Sequence, residues 1–305
     1  MKRAFSLVEL LVVIGIIGIL SGVVLGTFSG STESARAARC LTNMRNLAAA
    51  CQSAGLETGS YPPASSFEYC ELKQQRDGDY AYEFFEKKGW LSWYSEGSYQ
   101  QENGHAPTSS QAGSPVSMYN SDEAHRDFAL TNGVIWKYTG KNRDVYLCPE
   151  HAKKMKPLNP FFSYVMNAKM CWDWKKGGGP LCDKDSLHTV LTTYGYLNRA
   201  DRRLLFAEIP FQGIGCDAPT DEGEMTDSVL QYLNCKECGT PEMIGFNHKS
   251  GKIYHAHVVF ADGHVEKLVY PKGGLSEGEL RDLTKWLCES TDYSFDGTAY
   301  EELKE

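Results

Sequence analysis

Two hydrophobic patterns divide the chain. From Phe5 to Phe28 nearly every side chain is apolar and Glu9 is the only charge. After Ser29 apolar residues arrive singly or in short runs among polar ones. At 1.5 Å per residue, roughly 20 residues cross a 30 Å hydrocarbon layer, so the first stretch is long enough to span a membrane. Beyond it Ser31 to Arg39 is rich in helix formers, and Leu41, Met44, Leu47, Ala48 and Cys51 recur at spacings of three and four. Those spacings line one face of a helix. The pattern predicts a single helix of about 50 residues, an apolar front half and an amphipathic stem, running to about Ala54 or Glu57. Gly55, Gly59 and Tyr61-Pro62-Pro63 then stop it.

The remainder predicts a β-rich body. Aromatic and β-branched runs at 89–94, 133–138, 145–147, 161–165, 203–209 and 255–260 read as short strands. Loops rich in Ser, Gly, Asn and Pro separate them, Glu96 to Ser121 above all. Leu280, Leu283, Trp286 and Leu287 predict one helix over 275–289, and the acidic tail 301–305 reads as frayed. The fold class is therefore α+β, a long amino-terminal helix packed on a β-rich head. Its parts are 1–4 as a leader, 5–28 as a transmembrane helix, 29–58 as a stem and 59–305 as the head.

Charge and composition narrow the function. A net charge of −8 with no Lys/Arg cluster excludes a nucleic-acid binder, which needs a basic face against phosphate. Ten cysteines with 17 Tyr, 13 Phe and 6 Trp fit a head that matures in an oxidising compartment. Lys2 and Arg3 precede the apolar run, and the positive-inside tendency holds that end in the cytoplasm while the head is exported. A cleaved secretory signal ending near Ser29-Gly30-Ser31 is the competing reading. It has no use for Glu9, whose insertion costs about 2.5–3.5 kcal/mol. Gly18, Gly22 and Gly26 fall on one helical stripe, where neighbouring helices can approach closely.

Lys2-Arg3-Ala4 followed by Phe5-Ser6-Leu7-Val8-Glu9-Leu10 closely resembles the amino terminus of type IV prepilins and type II secretion pseudopilins. The resemblance implies cutting between Ala4 and Phe5 by a prepilin peptidase, N-methylation of Phe5, and a role for Glu9 in assembly. Ala4 stands where that family usually has Gly. The freed amine of one subunit would pair with Glu9 of its neighbour inside a low-dielectric bundle. A second resemblance covers the body. Cys40-Leu41-Thr42-Asn43, Tyr61-Pro62-Pro63, Cys148-Pro149, Tyr164-Val165-Met166-Asn167, Leu205-Phe206-Ala207-Glu208 and Ala261-Asp262-Gly263-His264 occur in the order seen in the prepilin-type processing-associated H-X9-DG family. His248 is the candidate for its His, although thirteen residues separate it from Asp262 and Gly251 to Tyr254 reads as an insertion.

Several features admit both a bland and a sharp reading. Asp262-Gly263 suits a two-residue hairpin turn in which Asp caps its own loop; pseudopilins hold calcium in a carboxyl-terminal loop, which leaves room for a structural calcium here. His255 and His257 share a strand face, and with His248, His264 and Asp262 they sketch a zinc hydrolase. No His-Glu-x-x-His or Gly-x-Ser-x-Gly motif accompanies them, so a non-enzyme is expected. Cys235 and Cys238 read as an oxidised structural pair. Cys40 with Cys148, and Cys51 with Cys70, are offered as further disulfides. Trp90, Trp93, Tyr94, Trp136, Tyr138, Trp172 and Trp174 could form a surface for a polysaccharide ligand. The resulting expectation is a pilin or pseudopilin with no cofactor. Its partners are the prepilin peptidase, other subunits, an inner-membrane assembly platform and membrane lipid. The head would lie in the periplasm and then in a filament. An adhesive carbohydrate-binding protein is the alternative.

Overall fold

The computed structural model describes residues 7–64, 67–74, 80–92, 123–154, 160–167, 170, 200–210, 229–230 and 243–289. For Glu9 and 20–31, and for the strands within 67–87, the backbone alone is described. The first element is one helix, α1, Leu7–Thr58, matching the predicted length. It ends where Gly59 takes φ +79 and returns its N–H to the Gly55 carbonyl at 2.8 Å, a closure that glycine permits at little steric cost.

The two halves of α1 differ in what surrounds them. Leu7, Val8, Leu10 and the apolar residues on to Ile19 are exposed. Among the described residues, no helix is long and apolar enough to cross a membrane, so the span expected over 5–28 is not shown. In the second half Cys40, Met44, Leu47, Ala48, Cys51 and Ala54 are fully buried. The predicted stripe is corrected at one place: Cys40 takes the inner position, and Leu41 is half-buried. A helix that buries this row gains about 1.5–3 kcal/mol for each large side chain.

The stem packs on a six-stranded sheet. Its strands are β3 (Tyr164–Asn167), β4 (Leu204–Glu208), β5 (Val229–Leu230), β6 (His248–Ser250), β7 (Ile253–Phe260) and β8 (Val265–Val269). The order is β5-β3-β4-β7-β6, with β8 also on β7. β7 is the hub. One edge pairs with β8 from His255 to Val259, and the other is shared by β6 at its start and β4 at its end. β3 with β5 is a parallel pair, and the other pairings are antiparallel. A separate antiparallel hairpin joins β1 (Phe67–Gln74) to β2 (Tyr80–Lys87).

Helices α2 (Glu123–Thr131), α3 (Pro149–Lys154) and α4 (Glu277–Glu289) complete the described fold. The last was predicted within two residues. Its start is a capping box: the Glu279 carboxylate accepts from Ser276 N and Oγ at 2.7 and 2.6 Å, and Glu279 N donates to Ser276 Oγ at 3.3 Å. α4 is fixed by Ile244 N donating to Thr284 Oγ1 at 3.1 Å and by Asn167 Nδ2 donating to the Cys288 carbonyl at 3.2 Å.

Three predicted strands are not strands. Residues 133–138 form consecutive turns, with Trp136 N bonded to Gly133 O and Tyr138 N to Ile135 O. The reason is packing: a Cβ on Gly133 would meet Trp90 O at 2.2 Å, and winding the run in turns buries Ile135 without straightening it. Residues 143–145 form a short 3-10 turn capped by Asn142, which accepts from Asp144 N at 3.0 Å. The described part of the 89–94 run is irregular, with a bend at Trp90 and Leu91. Trp90 lies fully buried, stacked on Tyr146 at 6.0 Å and edge-on to Phe206 at 4.9 Å. It is thus core, not part of a sugar-binding surface. Trp136 and Tyr138 are half-buried against the same core, and Trp93, Tyr94, Trp172 and Trp174 lie outside the described residues.

Two pairs of substitutions test this packing. Leu47→Ala should cost about 2–5 kcal/mol, because the row beneath the stem cannot close the cavity. Leu56→Ala, 70% exposed, should change stability by less than about 0.5 kcal/mol. Denaturant titration of the detergent-solubilised full chain reads both. Gly245→Ala places a Cβ 2.5 Å from the Ile209 carbonyl oxygen and should cost about 1–3 kcal/mol. Gly273→Ala meets nothing within 4 Å and should leave the melting temperature nearly unchanged.

Candidate functional site

The most unusual residue of the core is Glu208. It ends β4 after Leu204-Leu205-Phe206-Ala207, is wholly buried, and sits between β3 and β7. Tyr164 is its direct cross-strand partner on β3, and His257 lies one place past the Ala207–Val258 pair on β7. A buried carboxylate must be hydrogen-bonded or it destabilises the fold by several kcal/mol. Here both oxygens are satisfied. Oε1 accepts from the Cys40 thiol at 2.8 Å, from His248 Nε2 at 3.0 Å and from His257 Nδ1 at 3.1 Å. Oε2 accepts from Asn247 Nδ2 at 3.1 Å.

Four elements meet at this point. Cys40 comes from the stem, Cys148 from the residue before α3, Glu208 from β4 and His248 from β6. Cys148 Sγ is 3.7 Å from His248 Nε2, and the Tyr164 hydroxyl donates to Cys40 Sγ at 3.4 Å. One ligand-capable atom from each of Cys40, Cys148, Glu208 and His248 lies within 4.8 Å of the other three. Two more imidazoles line the group: His255 and His257 stand 5.5 and 4.8 Å, centroid to centroid, from the His248 ring. The backbone N–H of Cys148 donates to Ser163 Oγ at 2.8 Å, and His151 Nδ1 meets the same hydroxyl at 2.8 Å.

These contacts set the charge states. Burial pushes the Glu208 carboxyl upward, yet the His248 charge and the bonds from His248 and His257 outweigh it and hold the group well below the usual carboxylate range. Burial lowers His248, while Glu208 and Cys148 overcome this and bring it to about 10. For Cys148, burial raises the thiol pKa and the bonds from Cys40 and His248 win, leaving about 7. Cys40 is pushed well above the ordinary thiol value by burial first, then by Cys148 and Glu208. His151 falls to about 3 through burial, and His255 to about 4 through burial reinforced by His257 and His248. The contacts thus favour the ionised forms of Glu208, His248 and Cys148 and the neutral thiol of Cys40.

The residues singled out in the sequence separate into two places. His248, His255 and His257 do converge. Asp262 and His264 do not join them: Asp262 Oδ1 accepts from His264 N at 3.0 Å and lies 2.5 Å from His264 Nδ1, on the surface. Asp262 thus caps its own turn, as expected. The loop is longer than the expected two residues, because 261–264 separate β7 from β8 and Gly263 takes φ +91 within it. Phe260 N donates to His264 O at 3.0 Å and Gly263 N to Phe260 O at 2.9 Å, which closes the turn, while the bonds of Ala261 N to Arg203 O and of Asp262 N to Ala200 O tie it to the loop before β4. Of the residues read as an insertion, Gly251 and Lys252 form the β6–β7 turn and Ile253 and Tyr254 open β7, pairing with Ser250 and Lys249 and so setting His248 opposite His255.

The remaining predicted residues are placed as follows. Asn167 is buried and donates to the Leu204 carbonyl at 3.0 Å, while Pro149 opens α3. The sulfurs of Cys40 and Cys148 meet, but as free thiols rather than the expected disulfide; each is engaged with its own polar neighbour, Glu208 or His248. Cys51 is buried on the stem, and Cys70 lies on β1, where side chains are outside the described set. Cys235, Cys238, Ala4 and Phe5 lie outside the described residues. Glu9, Gly18, Gly22 and Gly26 are all on α1, and a Cβ on Gly18 would meet nothing within 4 Å.

Sequence reasoning missed Glu208 and Asn247 as members of the cluster. The available signal was a carboxylate closing an otherwise apolar strand, Leu204 to Ala207, where a solvent-facing residue is not expected on burial grounds.

With the geometry in place, comparison with known proteins adds one finding. Residues 1–25 match the family described as the prokaryotic N-terminal methylation motif. The chain matches no curated protein and no solved structure. Its amino terminus therefore carries the motif characteristic of type IV prepilin-like proteins.

Proposed function

We propose that the protein is a filament subunit of the pilin or pseudopilin kind, working in a type IV pilus or a type II secretion apparatus. The observation that carries this reading is the methylation motif over residues 1–25, set at the head of a 52-residue helix. The exposed side chains from Leu7 to Ile19 need an apolar surrounding, which lipid supplies before assembly and neighbouring helices supply after it. Residues 5–28 are then the membrane segment, 29–58 the stem and 59–305 the exported head. Lys2 and Arg3 hold the leader on the cytoplasmic side of the inner membrane. Prepilin peptidase cuts after Ala4, and the new Phe5 amine is methylated.

Glu9 gives the step its physical logic. A lone carboxylate in an apolar bundle is costly, and an ammonium group on the adjoining subunit relieves that cost only when the two chains are in the correct axial register. Gly18, Gly22 and Gly26 let the helices approach closely while an inner-membrane platform adds subunits. The role is mechanical rather than catalytic. The order of Cys40, Cys148, Glu208 and the Asp262-Gly263 turn supports the finer likeness to the H-X9-DG group, since all of them serve the junction between stem and head.

Intact-mass analysis of the protein from its native host should find a chain beginning at methylated Phe5. A chain with Met1 to Ala4 still attached would refute the reading. Glu9→Gln should leave the head folded and reduce filament incorporation by at least about tenfold, the change produced by about 1.4 kcal/mol, as read by immunoblot of sheared filaments against the membrane pool.

A further inference from the structure

We propose that Cys40, Cys148, Glu208 and His248 together bind one zinc ion in a closed structural site that fastens the stem helix to the head. The four groups are spread over 208 positions of sequence, from Cys40 to His248, and are brought together by four different parts of the fold. Each is at most 2% exposed, and one ligand atom from each lies within 4.8 Å of the others. A tetrahedral zinc ion with bonds of about 2.0–2.3 Å has ligand atoms about 3.3–3.8 Å apart. The contacts of 2.8, 3.0 and 3.7 Å lie around that range, so modest side-chain adjustments suffice.

The donor set selects the metal. Two sulfurs, one imidazole nitrogen and one carboxylate oxygen suit zinc and disfavour calcium or magnesium, which take oxygen ligands in larger number. With four protein ligands, no position is left for water, the mark of a structural site rather than a hydrolytic one. The surrounding groups behave as outer-shell partners that orient the ligands. His257 Nδ1 and Asn247 Nδ2 hold the two oxygens of Glu208 at 3.1 Å. Tyr164 donates to Cys40 Sγ at 3.4 Å.

A disulfide between the same two cysteines is the rival. It would remove the Cys40 thiol proton that Glu208 receives without putting a cation in its place, and it would make no use of the convergence of Glu208 and His248 on the sulfurs. The consequences of the two are distinct. An ion needs all four side chains, whereas a disulfide needs only the two sulfurs.

The test uses the full chain, purified in detergent from its native compartment without added metal. Plasma mass spectrometry should give one zinc per chain, and Cys40 and Cys148 should resist alkylation until a chelator is added. His248→Gln and Cys148→Ser should each lower bound zinc at least tenfold, and His264→Gln, in the surface pair with Asp262, should retain it. Should both site variants fail to fold, the wild-type chain stripped and reloaded with cobalt(II) answers instead: it should show sulfur-to-cobalt charge-transfer absorption and the visible bands of a tetrahedral ion. A metal-free native chain, a different stoichiometric metal, a Cys40–Cys148 disulfide, or a cobalt spectrum without sulfur ligation overturns the proposal.

Discussion

Burying the Glu208 carboxylate constrains everything around it. A charge taken out of water must be met by donors in fixed positions, and here they come from β6, β7 and the stem helix. The stem cannot rotate about its axis without withdrawing Cys40, and β6 cannot slip along β7 without moving His248 from its place opposite His255. An apolar core alone tolerates such shifts more readily, since Leu47 or Met44 would find other apolar neighbours. The polar centre thus supplies uniqueness, and the hydrophobic row beneath the stem supplies most of the favourable burial.

Around this centre the stem is tied down by contacts that spread along its length. Arg36 pairs with Glu150 at the start of α3, and Asn43 donates to the carbonyls of Asp144 and Leu147 at 2.8 and 3.1 Å. Gln52 and Tyr61 both donate to the Ala261 carbonyl, at 3.0 and 2.9 Å, at the tip of the hairpin that carries Asp262-Gly263. Lys137 and Tyr138 close on Glu57 at the helix end. The surface pairs among these contribute little each, whereas the bonds to buried carbonyls are costly to lose because the partner is left unsatisfied.

What could be read from the sequence follows from how local each cause is. The length and end of α1 were legible because glycine and proline signals act on adjacent residues. So was α4, by its apolar spacing, and so were β4 and β7, by their branched and aromatic content. The runs at 133–138 and 145–147 were misread because aromatic content marks burial as well as strand, and the turns there depend on a close approach of Gly133 to Trp90 that no local pattern announces. The histidines were visible as a group, yet Asp262 and His264 were assigned to them by nearness in sequence. Glu208 and Cys40 complete the cluster from 168 residues apart, a juxtaposition that only the fold creates. The match at the amino terminus is legible in a different way, since cutting and methylation are read by other proteins from a linear stretch.

The front part of α1 acts as a lever. From Leu7 to Arg36, which pairs with Glu150 of the head, thirty residues of helix extend about 45 Å. A tilt of about ten degrees at the base would therefore swing the apolar tip sideways by about 8 Å, most of the width of a helix. The stiffness of the polar joint at Cys40 and Glu208 consequently decides how accurately a distant end of the molecule is aimed.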